Sequence, residues 1–167
     1  IKPSGTVSLL NGSTPGIHFP ESEYYIRRIR FSKDNELLDP LKEAGYKIEE
    51  DAYSPNTYCV EFPVHEPYFS RSKKTVSMWE QLEMAAQYQH YWADNSVSIT
   101  VTFKDEEANQ LKGALEMYET RLKAVSFLRY KDTGYKQAPY ESITKETYKK
   151  LIKNITPIQR ANIQEGG

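Results

Sequence analysis

The residues that could most directly bind a ligand lie at the very start of the chain. After Pro3 come three hydroxyl side chains, one glycine and one valine, in the order Ser4, Gly5, Thr6, Val7 and Ser8. A loop of this composition lets successive backbone N–H groups and hydroxyls surround an anion, because no bulky side chain stands in the way. The pattern predicts a phosphate-binding loop over these five residues. An ordinary turn before a strand has the same composition, so both interpretations stay open at this point.

The histidines and the single cysteine do not indicate a catalytic or metal site. His18, His65 and His90 are too scattered along the chain for the spacing of zinc ligands. Cys59 lies inside an apolar run, where a cysteine is expected to be a small buried side chain and not a nucleophile. No catalytic residue and no metal ligand is therefore predicted.

Three arginines crowd one short stretch, Arg27, Arg28 and Arg30. Guanidinium groups bind phosphate well, but they also form salt bridges with carboxylates. A solvated or salt-bridged segment is the favoured interpretation of this stretch.

The elements that must hold these residues follow from the spacing of apolar side chains. Alternation predicts strands at 6–10, 57–62, 97–103 and 124–128, and helical periodicity predicts helices at 34–44, 77–93, 105–122 and 144–154. The helix at 77–93 is expected to have an apolar face that includes Trp92 and a wet side that includes Gln81, and the helix at 105–122 an apolar stripe that includes Leu111, Leu115 and Tyr118. Ser32 and Thr144 are expected to cap the helices at 34–44 and 144–154. Strands that alternate with helices over short links predict an α/β fold with parallel βαβ units.

One predicted strand has an unusual polar face. Ser98, Thr100 and Thr102 alternate with apolar residues, whereas strands of parallel sheets are usually apolar on both faces. A strand that faces a cavity with a polar ligand explains this pattern, and so does an edge strand with one wet face.

Length and composition limit the class of protein. The chain has 167 residues, which is the size of one domain, and its formal net charge of −1 indicates neither a nucleic-acid partner nor a membrane surface. With one cysteine no internal disulfide can form, which favours a cytoplasmic location. Because the chain starts with Ile1 directly on a motif, we expect it to be a piece of a longer polypeptide.

Three segments together resemble the large subunit of ribonucleotide reductases. The run from Pro3 to Ser8, followed by Gly16-Ile17-His18, resembles the phosphate-binding loop of that family and the turn after it. Trp92–Ser98 resembles the entry to a late strand of the family's barrel, and Gln137–Glu141 resembles a segment of its monomeric, cobalamin-dependent (class II) branch. The resemblance covers nearly the whole chain.

The resemblance implies both a fold and a set of partners. Residues 1–157 would form the C-terminal portion of a ten-stranded α/β barrel, and 158–167 would form a flexible tail. The Ser4–Ser8 loop would bind the phosphates of a ribonucleotide substrate. The full-length enzyme would use a thioredoxin-type reductant, and the remainder of the same barrel would be the partner of this segment.

The resemblance also implies a cofactor. The iron-dependent branch relays a radical through two tyrosines on a late strand, and Ser126 and Phe127 occupy those places here. Neither side chain has a phenol, so neither can carry that relay. The segment typical of the glycyl-radical branch is also absent from the sequence. The branch implied is therefore the one that uses adenosylcobalamin.

The family's radical cysteine belongs to an Asn-x-Cys-x-Glu motif that this sequence lacks, so the isolated chain is expected to be inactive. Two other interpretations stay open: a stand-alone phosphate- or nucleotide-binding α/β module, and a fragment that folds only with its missing half. The sequence does not distinguish diphosphate from triphosphate substrates.

Overall fold

The structure is a computed structural model, and it describes Thr14 and residues 16–130 and 136–158. The described chain divides into two compact units. The first unit contains residues up to 22 and residues 66–132, and the second contains residues 23–65 and the chain from 133 onward. The predicted strand at 6–10, the loop Ser4–Ser8 and the tail beyond residue 158 lie outside the described residues.

The first unit is built on a parallel pair of strands. Its elements are α2 (Met78–Tyr91), β4 (Ser98–Phe103), a 3-10 helix (Asp105–Gln110), α3 (Leu111–Tyr118) and β5 (Ala124–Arg129). β4 and β5 pair in parallel, with Thr100 opposite Ser126. The predicted βαβ connection is confirmed here.

The core of the first unit lies on one face of this pair. Ile99 and Val101 are buried against Leu82 and Ala85 of α2 and against Ala114 of α3. Since side chains alternate along a strand, Ser98, Thr100 and Thr102 occupy the opposite face of β4.

The second unit is an antiparallel sheet, which the sequence interpretation missed. Its strands are β1 (Tyr24–Ser32), β2 (Lys47–Glu50), β3 (Thr57–His65) and β6 (Tyr140–Ser142), in the order β2-β3-β1-β6. The expectation of parallel units throughout was therefore wrong for the strand predicted at 57–62, because every pairing in this sheet is antiparallel. Helix α1 (Leu38–Glu43) packs Leu38 and Leu41 against Val60 of β3, and α4 (Lys145–Ile152) completes the unit.

Two predicted helices are shorter than expected. The helix predicted at 34–44 begins only at Leu38, which leaves Pro40 in the first turn, where its missing N–H costs no helical bond. The hydroxyl of Ser32 bonds to Asp34 and does not cap α1. The helix predicted at 105–122 starts as a 3-10 helix, and α3 covers only Leu111–Tyr118. Leu111 and Tyr118 of the expected stripe contact the core, whereas Leu115 is 50% exposed and Ala114 is buried.

The other two predicted helices form nearly as expected. Ser77 caps α2 by accepting the N–H of Glu80, and Thr144 caps α4 by accepting the N–H of Thr147. Trp92 was expected on the apolar face of α2, but it follows the helix and is 78% exposed.

Candidate functional site

The predicted phosphate loop, Ser4–Ser8, falls outside the described residues, but the chain that follows it is described from Gly16 onward. Gly16 has a φ of +64°, a conformation that glycine adopts without strain, and it lies in a turn of the first unit. Ile17 then packs against the core of that unit. The segment after the loop is thus attached to the α2–β4 core.

His18 makes the second attachment. The backbone N–H of Thr100, in the middle of β4, donates a hydrogen bond of 3.1 Å to Nε2 of His18. A ring nitrogen accepts a hydrogen bond only when it carries no proton, so this contact requires neutral imidazole with its proton on Nδ1. The sequence resemblance includes His18, but nothing in the sequence indicated this contact.

A cavity of about 390 Å³ lies beside this segment. Its wall contains His18, Phe19, the buried carboxyl group of Glu66, and the rings of Phe69 and Tyr88, among others. Aromatic surfaces together with a few polar groups are typical of small-molecule sites.

Arg71 also lines this cavity, but its charge is already paired. Nη1 and Nη2 of Arg71 donate to the two carboxylate oxygens of Glu80 at 2.6 and 2.7 Å. The hydrogen bonds to Glu80 raise the pKa of Arg71 above its ordinary value. The guanidinium therefore holds a protein carboxylate in this structure.

Gln81 ties α2 to β4. Its side chain accepts the N–H of Thr102 at 3.0 Å and donates to the carbonyl of Thr102 at 2.8 Å, as a neighbouring strand would. Sequence periodicity placed Gln81 on the wet side of α2, which was wrong, because the residue is only 4% exposed. Its position three residues after the buried Met78 was the available signal.

Gln89 holds the turn that leads into β4. It donates to the carbonyls of Ala93 and Asn95 and accepts the N–H of Val97 at 2.9 Å. The segment Trp92–Ser98, which carries part of the resemblance, therefore leads from the end of α2 into the first residue of β4. Gln89 holds it together with Lys123, whose ammonium group donates to the carbonyl of Asp94 at 2.7 Å.

Glu107 joins the start of α2 to the 3-10 helix. Its carboxylate accepts the N–H of Met78 at 2.8 Å and the N–H of Lys104 at 2.9 Å. A carboxylate at a helix N-terminus satisfies a free donor and interacts favourably with the helix dipole. Buried carboxylates with such partners are structural, and we assign Glu107 that role.

Two of the three arginines of β1, Arg28 and Arg30, form salt bridges, as the sequence interpretation favoured. Arg28 is buried and donates twice to Glu61 of β3, at 2.9 and 2.7 Å, and once to Glu141 of β6 at 2.5 Å. Burial disfavours the charge on Arg28, but its hydrogen bonds to the two carboxylates outweigh that effect and raise its pKa. Arg30 pairs with Asp51 at 2.5 Å.

The Gln137–Glu141 segment serves this same charged network. The carbonyl of Ala138 accepts from Arg28 at 3.1 Å, and the carbonyl of Pro139 accepts from Arg27 at 3.2 Å. Gln137, with a φ of +58°, exchanges two hydrogen bonds with the backbone at Glu50 and Ala52. A segment that carries the resemblance thus closes one edge of the sheet.

Cys59 and the remaining histidines have structural surroundings. Cys59 is 1% exposed, and burial raises the pKa of its thiol, so it is the buried residue that the sequence predicted. The ring of His65 stacks on Tyr24 with centroids 4.6 Å apart, and His90 contacts Tyr91 edge-on. In the part of the chain that the structure describes, no three His, Cys, Asp or Glu residues form a cluster that could hold a metal ion. Within the same ranges, no helix combines the length and the apolar character that a membrane span requires.

Ser126 and Phe127, the two positions that the sequence resemblance compares with a tyrosine pair, face opposite ways on β5. Phe127 packs toward the core, with its ring centroid 6.5 Å from that of Phe103. Ser126 lies on the exposed face, opposite Thr100 of β4.

Relatives with known names match nearly the whole chain. A protein of Dictyostelium discoideum described as a probable adenosylcobalamin-dependent ribonucleoside-triphosphate reductase is 50% identical over 95% of this chain. The adenosylcobalamin-dependent ribonucleoside-triphosphate reductase of Euglena gracilis is 49% identical over 93% of it, and that of Lactobacillus leichmannii is 44% identical over 99%. No protein-family model matches the chain.

The fold gives the same result. A crystal structure of a B12-dependent (class II) ribonucleotide reductase superposes on 93% of this chain with a TM-score of 0.80 and 45% identity. This chain spans 22% of that structure and 21% to 22% of the relatives' length. Over almost all of its residues, the chain is homologous to one segment, about a fifth, of the adenosylcobalamin-dependent ribonucleoside-triphosphate reductases.

Proposed function

We propose that this chain is the part of an adenosylcobalamin-dependent ribonucleoside-triphosphate reductase that supplies the loop for the substrate's phosphates. The observation that carries the proposal is identity of 44% to 50% with reductases over 93% to 99% of the chain. The reaction converts ribonucleotides to deoxyribonucleotides and belongs to the full-length protein. This segment contributes substrate binding and no radical cysteine, since its one cysteine is buried in a sheet.

The substrate-binding residues in this proposal are Ser4, Gly5, Thr6, Val7 and Ser8. Backbone N–H groups and the hydroxyls of Ser4 and Thr6 would donate to phosphate oxygens, and Gly5 would let the backbone come close. The fixed path of Gly16–His18 supports this role, because it holds the chain after the loop against the parallel strands.

The parallel pair β4–β5 would be part of a ten-stranded barrel that the rest of the polypeptide completes. Parallel strands are normally covered on both faces, and one face of this pair carries the hydroxyls of Ser98, Thr100 and Ser126. A polar barrel interior accounts for that face. A thioredoxin-type reductant would act on the full-length protein.

Adenosylcobalamin, when bound, supplies the radical that starts the chemistry. The residues of β5 are compatible with this branch, because Ser126 and Phe127 offer no phenol for a radical that arrives from another subunit. No described residue is assigned to cobalamin binding.

The test of the loop is Thr6→Ala and Gly5→Val in the full-length protein, with Thr120→Ala as control, since Thr120 is an exposed turn residue. A hydrogen bond to a charged group contributes about 1.5–3 kcal/mol, so Thr6→Ala should weaken ribonucleoside triphosphate binding by about tenfold to a hundredfold. Gly5→Val should weaken it more, because a branched side chain would fill the space of the phosphate.

Equilibrium binding gives the affinity, and a thermal melt of each variant controls for folding. Thr120→Ala should bind as the wild type does. If Thr6→Ala and Gly5→Val also bind as tightly as the wild type, the loop is only a turn and the proposal is wrong.

A further inference from the structure

Helix α4 of the second unit carries a row of exposed lysines. Lys145, Lys149 and Lys153 follow one another at intervals of four residues, and Lys153 keeps a right-handed helical backbone just after the helix. Side chains with this spacing share one side of a helix, so the three form a lysine row about 12 Å long, with Lys150 beside it. All four side chains are exposed, and the one carboxylate on the helix is Glu146.

These lysines have no carboxylate partner in the ranges that the structure describes. Exposed lysines elsewhere do have one, for example Lys33 with Glu50. Like charges four residues apart repel each other, and the helix dipole disfavours a cation at the first helical position, which Lys145 occupies. The dipole favours Lys149 in the last turn, but helix stability does not account for the row as a whole.

The helix that bears the row is held firmly in its unit. The ring centroid of Tyr148 lies 5.2 Å from that of Tyr24 and 5.9 Å from that of His65. Beyond the helix, the N–H of Thr156 donates to the carbonyl of Ala44 at 2.9 Å. The lysine row is therefore presented on an anchored element, as a binding surface requires.

The chemistry of the row fits a protein that binds and leaves. Unpaired ammonium groups are costly to bury, and lysine is depleted from the cores of stable interfaces, so a permanent interface is a poor match. In water the same charges steer an acidic partner to the surface during encounter. The helix carries no arginine, the side chain best suited to phosphate recognition, so a nucleic acid fits less well than an acidic protein.

We propose that the lysine row of α4 is the docking surface for an acidic face of the thioredoxin-type protein that reduces the full-length enzyme. The inference rests on the proposed function, because only a reductase requires this partner. Each turnover removes one ribose hydroxyl as water, and the reductant supplies the two electrons and two protons and leaves as a disulfide. A partner that must be exchanged in every turnover suits a weak, salt-dependent contact.

The test uses the full-length protein and two double variants that lose the same charge. Lys145→Gln with Lys149→Gln removes two charges from the row, and glutamine keeps the helix propensity. The matched control, Lys42→Gln with Lys112→Gln, removes two exposed charges from α1 and α3. Turnover is measured against the concentration of thioredoxin, at low and at high salt.

The row variant should need about twofold to thirtyfold more thioredoxin for half-maximal turnover at low salt, because it loses two exposed ion pairs with the partner. Its turnover at saturating thioredoxin should match that of the wild type. In about 0.5 M salt the difference should shrink below about twofold, since salt screens exposed charges. The control variant should follow the wild type at both salt concentrations.

A parallel assay replaces thioredoxin with dithiothreitol, a small dithiol that needs no docking surface. If the row variant loses turnover with dithiothreitol as well, the substitutions damage the enzyme itself and the inference fails. It also fails if the thioredoxin requirement of the row variant is unchanged, or changes equally in the control variant.

Two further outcomes concern other assignments. If the row variant keeps its thioredoxin requirement but binds a fluorescent DNA oligonucleotide more weakly than the wild type, the row is a nucleic-acid surface and the inference is wrong. If the wild-type protein reduces no ribonucleotide with either reductant, the proposed function is wrong and the inference falls with it.

Discussion

At the scale of single residues, Glu83 is the carboxyl group whose pKa is shifted most among the described residues. Its oxygens accept from Nη1 and Nη2 of Arg121 at 2.8 Å each, and one of them also accepts the hydroxyl proton of Tyr118 at 3.0 Å. The hydrogen bonds to Arg121 and Tyr118 lower the pKa of Glu83 to about 2. Three donors on one carboxylate tie the end of α3 to α2.

The pKa of Glu83 predicts a pH dependence of stability. A carboxyl group whose folded pKa is lowered stabilises the fold above its unfolded pKa, and this contribution is lost as pH falls through the folded value. Glu83→Gln should therefore lower the denaturation midpoint at pH 7, and the difference from wild type should vanish between about pH 4.5 and pH 2.

The effect should be smaller than that of a core truncation, because the Glu83 and Arg121 side chains are partly exposed and solvent screens the pair. Urea unfolding of both proteins at pH 7 and at pH 2.5, in low salt, measures it. Glu116→Gln, at an exposed weak pair with Lys112, is the matched control. An equal difference at both pH values would contradict the assignment.

At the scale of elements, two glycines have opposite roles. Gly45 ends α1 with a φ of +87°, and a Cβ there would lie 2.3 Å from the carbonyl oxygen of Asn154. Gly113, inside α3, has no neighbour within 4 Å of its Cβ position. Gly45 is required by its left-handed backbone conformation and by the nearby backbone of Asn154, whereas Gly113 only weakens its helix.

Alanine at these two positions should therefore change stability in opposite directions. Gly45→Ala should destabilise by more than about 1–2 kcal/mol, since the left-handed conformation alone costs that much and the contact with Asn154 adds to it. Gly113→Ala should stabilise by about 0.5–1 kcal/mol through helix propensity. Urea denaturation of both variants measures these values, and a neutral Gly45→Ala would show that the turn relaxes.

Elements with a local signal could be predicted from the sequence. The stripe of α2 and the alternation in β4 predicted both elements within a few residues, and the hydroxyl of Thr144 marked the start of α4. β1 could not be found this way, because its arginines make the segment look polar. Arg28 forms salt bridges with Glu61 and Glu141, which are 33 and 113 residues away in the sequence. No local sequence pattern indicates such distant partners.

The candidate site also combines features that have a local sequence signal with a contact that has none. The sequence indicated the loop from its composition, and the resemblance picked out Gly16-Ile17-His18. The contact of His18 with Thr100 joins residues 82 positions apart, so no local pattern could reveal it.

At the scale of the whole molecule, the chain passes from one unit to the other and back. Residues 23–65 and those from 133 onward build the antiparallel sheet, and the parallel unit takes the rest. Each unit has its own core, centred on Val101 in the first and on Val60 in the second. The sheet therefore folds from two distant stretches of sequence.

The cofactor predicted for the full-length protein gives a test at position 127. Phe127→Tyr should leave turnover nearly unchanged and still dependent on adenosylcobalamin, because the branch proposed for the full-length protein needs no radical relay through this ring. Phe127→Leu, which removes the ring from its contact with Phe103, is the control for packing, and thermal melts of both variants accompany the assay. Turnover without cobalamin in the presence of an iron-loaded partner subunit would overturn the assignment to this branch.

The side chains that hold β4 also have a consequence for hydrogen exchange. Deuterium replaces an amide proton only when its hydrogen bond opens. The protons of Thr100 and Thr102 are held by His18 and Gln81, so they are released when one of these side chains changes rotamer. Amides that bond to β5 are released only when the two strands separate. The exchange rate at Thr100 thus reports how often the His18 contact opens, and the rate at Thr102 how often the Gln81 contact from α2 opens. The amides of β4 that bond to β5 report on a second event, the separation of the two strands.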